Sequence, residues 1–118
     1  MNNHALNRIA LLLPLVLILG LSSQIVLANV VPAPEQPAQH TIVANTPEDH
    51  AAAAEHHKKT AEYHKGMAEH HHSMASEHKK QGHHKLSKHH AKLAKYHTAL
   101  AKEHTATAKT HEEHAAGK

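Results

Sequence analysis

Residues 50–111 read HAAAAEHHKKTAEYHKGMAEHHHSMASEHKKQGHHKLSKHHAKLAKYHTALAKEHTATAKTH. A seven-residue unit, histidine followed at three and four residues by a small or apolar pair, recurs ten times with one interruption. The first five copies begin at His50, His57, His64, His71 and His78, and the next five at His83, His90, His97, His104 and His111. Behind them stand pairs such as Ala53-Ala54, Met67-Ala68, Met74-Ala75, Leu93-Ala94 and Leu100-Ala101. The copy begun by His78 reads Gln81-Gly82 instead and is two residues short.

An α-helix turns about 100° per residue, so a seven-residue repeat returns to one face with a drift of about 20°. With each histidine at 0°, the pair behind it lies at about 300° and 40°, giving one stripe of His, Met or Leu, and Ala. Two residues before each histidine the chain is at about 160°. That outer row carries Glu48, Glu55, Glu62 and Glu69 in the first half and Lys88, Lys95, Lys102 and Lys109 in the second.

Thr46-Pro47-Glu48-Asp49 is a helix start, with a capping hydroxyl, proline at the first helical position and two acids against the positive helix end. Lys79-Lys80-Gln81-Gly82 is a stop, and Gly117 is a second one. The fold expected is all-α: an antiparallel two-helix hairpin with arms at about 47–80 and 83–116. Were the helix continuous, the two missing residues would rotate the stripe by about 140° and split its apolar face. The hairpin keeps both stripes facing, and its arms carry −1 (five Lys, six acids) and +3 (six Lys, three Glu). Two hairpins can also dimerise through the same seam into a four-helix bundle.

A turn at 81–82 pairs residues whose numbers sum to 161. His50 then meets His111, His57 meets His104, His64 meets His97, His71 meets His90, and His78 meets His83. Large faces small in this register, with Ala68 opposite Leu93, Ala61 opposite Leu100, and Met67 opposite Ala94. The residue before each repeat histidine, at about 260°, lines one edge of the seam. Those edges bring His70 toward His89, Tyr63 toward Tyr96 and His56 toward Glu103. Two metal groups follow: a four-histidine group of His70, His71, His89 and His90, and a mixed group of His56, His57, Glu103 and His104. A weaker end site uses His78, His83 and Glu77.

The chain has 118 residues, 18 histidines, two aromatic residues (Tyr63 and Tyr96) and no Phe, Trp or Cys. That is too little bulk for an ordinary globular core, and the histidine bias points to metal. Imidazole and carboxylate suit divalent copper, nickel or zinc, and Met67 and Met74 can add thioethers for cuprous copper. No two histidines stand four apart, and His111-Glu112-Glu113-His114 is one residue short of the metal-protease pattern. Ligation is therefore expected between arms, between chains or by surface histidines. No site with distinct acid, base and nucleophile roles is legible, so catalysis is not expected.

Residues 1–28 read as a secretory signal: Arg8, an apolar run from Ile9 to Leu21, and a small-residue end at Val26-Leu27-Ala28. Cleavage after Ala28 sends the chain to a periplasm or the cell exterior and leaves no stable membrane insertion. The remaining chain has 12 Lys and 10 acids, a net +2, which gives no standing attraction for nucleic acid. Residues 29–45, with Pro32, Pro34 and Pro37, read as a disordered linker in which His40 is incidental.

The His50–His111 repeat resembles the small periplasmic histidine-rich metal-binding proteins. The resemblance implies a helical periplasmic protein that reversibly takes up several divalent ions, copper foremost, for buffering or tolerance. The alternative expectation is a pH-gated interaction module whose histidines charge on acidification and bind anionic surfaces.

Overall fold

The structure is a computed structural model, and it describes residues 29–39 and 41–118. The expected signal segment, 1–28, and His40 lie outside the described residues. Two helices, α1 (Pro47–Lys80) and α2 (His84–Ala115), pack along their length as a hairpin. Among the described residues there is no strand, and no helix is long and apolar enough to cross a membrane.

The start of α1 forms as its residues dictate. Thr46 Oγ1 accepts from the Asp49 backbone N–H at 3.1 Å, and Asp49 Oδ2 accepts from the Thr46 N–H at 3.1 Å. Asp49 Oδ2 also accepts from the Asn45 N–H, and that bond, followed by those to Thr46, holds its carboxyl below the usual range.

The turn is a Schellman motif built on Gly82. Its φ of 78° lets the Gly82 N–H reach Lys79 O at 3.1 Å and the His83 N–H reach His78 O at 2.8 Å. The same motif closes α2 at Gly117, φ 74°, with Gly117 N–H to His114 O and Lys118 N–H to Glu113 O. The turn therefore ends α1 and sets the register of α2. Just beyond it Ser87 Oγ donates to Ala75 O at 2.8 Å, tying the two arms together.

The buried row of the seam is alanine alone: Ala53, Ala54, Ala61, Ala68 and Ala75 from α1, and Ala94, Ala101 and Ala108 from α2. In the expected large-opposite-small pairs the small members Ala61, Ala68 and Ala94 are buried, and the large members Leu100, Leu93 and Met67 are half-buried. The line of contact runs between the histidine column and the alanine four residues behind it, which leaves the position three behind nearer the rim in every repeat but the first, where Ala53 is buried. Met67, Met74, Leu93 and Leu100 are accordingly half-buried, and Leu86 is exposed. Alanine at the contact lets the two axes approach toward the low end of the usual helix spacing. Leucine there would hold the arms farther apart.

Residues 29–39 and 41–45, expected as part of a disordered linker, carry no helix or strand, and residues 31–37 lie as a strap along α1 in the opposite direction. The Val31 N–H donates to Ser73 Oγ at 3.0 Å, and the His70 ring Nδ1–H donates back to Val31 O at 2.6 Å. Pro34 sits over Gly66, where an added Cβ would lie 2.8 Å from Pro34 Cγ. The result is asymmetry: the α1 edge residues Asp49, His56, Tyr63, His70 and Glu77 are half-buried, while His89, Tyr96, Glu103 and Thr110 on α2 are exposed.

Among the described residues one ion pair, Lys58 with Glu112, joins the two helices; the others lie within a helix. The opposite arm charges thus make a single cross-link. The alanine seam is closed between the two arms of one chain. A groove behind it is lined by Ala68, Thr98, Ala101 and Thr105 among others.

The imidazole ladder, a candidate metal centre

Four of the five pairs summing to 161 meet through their Nδ1 atoms. The separations are 2.8 Å for His50 and His111, 2.9 Å for His57 and His104, 2.9 Å for His64 and His97, and 3.0 Å for His71 and His90. Each is a hydrogen bond whose direction depends on the tautomers: a ring protonated on Nδ1 donates, and a neutral ring protonated on Nε2 accepts.

The ring centroids of these four rungs are 5.1, 5.2, 5.2 and 5.3 Å apart. A five-membered ring of bonds of about 1.33 Å places each atom about 1.1 Å from its centre. The centroid separation of every rung therefore matches, to within about 0.1 Å, the nitrogen gap plus one ring radius at each end, the value for a straight arrangement. The two Nδ1 lone-pair axes are collinear, head to head.

Between rungs the rings are nearly parallel. His57 and His111 are 5.6 Å apart at 11°, His64 and His104 5.4 Å at 13°, His71 and His97 5.4 Å at 16°, and His78 and His90 5.2 Å at 13°. The rung of His57 with His104 spans 5.2 Å and the next gap 5.4 Å. Laid end to end they match the rise of seven helical residues, about 10.5 Å, so the rings form a nearly straight column along the seam. His114, 5.0 Å from His50, extends one end, and His83, 5.7 Å from His78, the other.

Burial lowers the pKa of His57, His64, His71, His90 and His97; for all but His97, repulsion from neighbouring histidines adds to it. Both causes favour the neutral form of these five rings.

The remaining expected residues are placed differently. His78 and His83 form no Nδ1 rung, because His83 belongs to the turn; the His78 Nδ1 is buried with no hydrogen-bond partner. The group of four separates into one rung, His71 with His90, and two flanking rings. His70 packs edge-on against His71 at 5.3 Å with its Nδ1 engaged by the strap, and exposed His89 packs against His90 at 5.9 Å. In the mixed group His57 and His104 form a rung, His56 stands 5.7 Å from His57, and Glu103 is exposed. Tyr63 and Tyr96 likewise pack edge-on against His64 and His97 rather than against each other. No cluster of three or more His, Cys, Asp or Glu suited to hold a metal occurs among the described residues.

The strap is the element beside the ladder that periodicity does not reveal. With α1 it bounds an open cleft of about 300 Å³ beside the ladder, lined by Gln36, Pro37, Thr41, His56, Tyr63 and His64 among others. Its signal in the sequence is the small pair Gly66 and Ser73, one heptad apart on a face otherwise made of long helix formers.

No known protein family, curated protein or solved structure matches the chain.

Proposed function

We propose that this is an exported, non-enzymatic protein that takes up and buffers several transition-metal ions, copper foremost with nickel and zinc as alternatives. The observation that carries the reading is the column itself. Four pairs of imidazole nitrogens face one another at 2.8–3.0 Å along a seam whose core is only alanine. Large apolar residues would stabilise a hairpin better, whereas ten phased histidines weaken it unless an interaction offsets the loss. Metal–imidazole bonds supply that interaction and couple metal uptake to folding.

Equilibrium dialysis of the protein against copper, nickel and zinc at neutral pH, followed by elemental analysis, tests the reading. Several ions retained per chain, with a higher thermal midpoint, support it. Retention equal to that of an unstructured peptide of the same composition contradicts it.

One observation favours a second reading, an acid-gated module that binds anionic surfaces. The rungs pair Nδ1 with Nδ1, so protonating both rings of a rung charges the seam and leaves the pair without an acceptor. Binding of metal-free protein to anionic vesicles below about pH 6, and not above, distinguishes this reading.

A further inference from the structure

The direction of the nitrogen atoms, more than their distance, selects the ion. Metal–nitrogen bonds are about 2 Å long, so two nitrogens on adjacent corners of a square plane stand about 2.8 Å apart and on a tetrahedron about 3.3 Å. The rung separations of 2.8–3.0 Å suit the square edge by distance alone. Ligands on adjacent corners must aim at a common point at a right angle, however, and the two Nδ1 axes of a rung lie on one line. An ion between them has its two nitrogens on opposite sides.

Two in-line nitrogens are a complete ligand set for a closed-shell monovalent ion of the copper group, which accepts linear two-coordination. They are half a set for a divalent ion, which needs four ligands or more. A square-planar ion could use the pair as opposite corners only with two further ligands across the column. One side of the column faces solvent, but the other faces the buried alanines, which bring no donor. The nearest rings along the column belong to the neighbouring rungs, with their Nδ1 atoms committed there.

We infer that each rung is a site for one monovalent closed-shell ion, Cu(I) or Ag(I), held in line between two Nδ1 atoms. This rests on the metal-handling reading above and narrows it to an ion class and a ligand atom. Entry requires the nitrogens to part by about 1 Å, to the roughly 4 Å of a linear pair. The proton on the donor ring's Nδ1 moves to its own Nε2, so both rings end as the Nε2–H tautomer and none is released. Met67 and Met74 stand three residues behind His64 and His71 on the same face, half-buried at the rim, where a thioether can approach the two inner rungs.

Ag(I), stable in air and diamagnetic, is the probe. X-ray absorption on the full-length protein loaded with one equivalent should show two nitrogen neighbours at about 2 Å and no third ligand beyond a longer sulfur contact. Three or four nitrogen or oxygen neighbours would overturn the linear site. The triple variant His57→Gln, His64→Gln, His71→Gln should hold Ag(I) about tenfold more weakly, a change of about 1.4 kcal/mol. The exposed-face variant His72→Gln, His84→Gln should stay close to the parent. Equal loss in both variants would overturn the assignment to the rungs. The absorption result on the unaltered protein stands even if the ladder variant loses its helices. Uptake of Cu(II), Ni(II) and Zn(II) measured in parallel separates the two claims. Divalent uptake with a multi-coordinate Ag(I) site overturns only the present inference, and no uptake of any ion overturns metal handling as well.

Discussion

The Nδ1 of His57 lies 2.9 Å from the Nδ1 of His104, on a line that runs through both ring centres 5.2 Å apart. A hydrogen bond on that line needs two different tautomers in one rung. Nitrogen-15 spectra of the metal-free protein above pH 7 should therefore show Nδ1–H and Nε2–H forms in equal numbers among the eight rung histidines. His104→Ala should return His57 to a single solvent-equilibrated form. Eight rings all in the Nε2–H form would contradict the rungs.

Acid should unfold the hairpin. The pKa values of His57, His64, His71, His90 and His97 are lowered in the folded chain by burial, with repulsion from neighbouring histidines adding to it at the first four. The unfolded chain then binds more protons as pH falls, so folding becomes less favourable. The contribution is intact above the ordinary value of 6.5 and is lost as pH drops through the lowered folded-state values. Thermal melts of the metal-free protein should fall steeply from pH 7.5 to 5. A flat profile would mean that the rings are not held neutral.

Ala101 is 4% exposed at the line of closest approach. Ala101→Leu adds bulk at that line, between the helices, and should cost about 1–3 kcal/mol. It should also part the nearby rungs, so the tautomer signature of His64 with His97 weakens together with stability. Stability lost with the signature intact would show that alanine does not set the ring spacing.

Gly82 holds a φ of 78°, and nothing lies within 4 Å of an added Cβ. Gly82→Ala is thus a purely backbone change, expected to cost about 1–2 kcal/mol by chemical denaturation. At Gly66 two effects oppose. Gly66→Ala should gain up to about 1 kcal/mol of helix propensity while its Cβ presses on Pro34 from 2.8 Å. The expected outcome is higher helix content with faster proteolysis of the strap. Unchanged proteolysis would show that the strap accommodates the methyl group.

Much of this architecture is written in the residue order. The heptad and the two-residue deletion place the turn, and the turn sets which histidines face each other, so the pairing of His50 with His111 and His71 with His90 is legible from numbering alone. The capping residues Thr46 and Asp49 and the stop at Gly82 are equally local. What periodicity cannot supply is the side-chain torsion. It fixes the face on which His57 stands, and its χ angles decide which nitrogen points at His104. That gap also explains why four-ligand groups around His70 and His89 suggest themselves from the edges of the wheel. His70 instead turns its Nδ1–H to the strap carbonyl of Val31, a contact with no periodic signal.

The most direct test of the account follows the imidazole nitrogen-15 signals of the protein through a titration with Ag(I). Paired rung histidines such as His57 and His104 should change first and together, both ending as Nε2–H with silver on Nδ1. Early change confined to exposed rings such as His72, His84 and His89, with the rung signals unmoved, would contradict the claim that the ladder is the metal site.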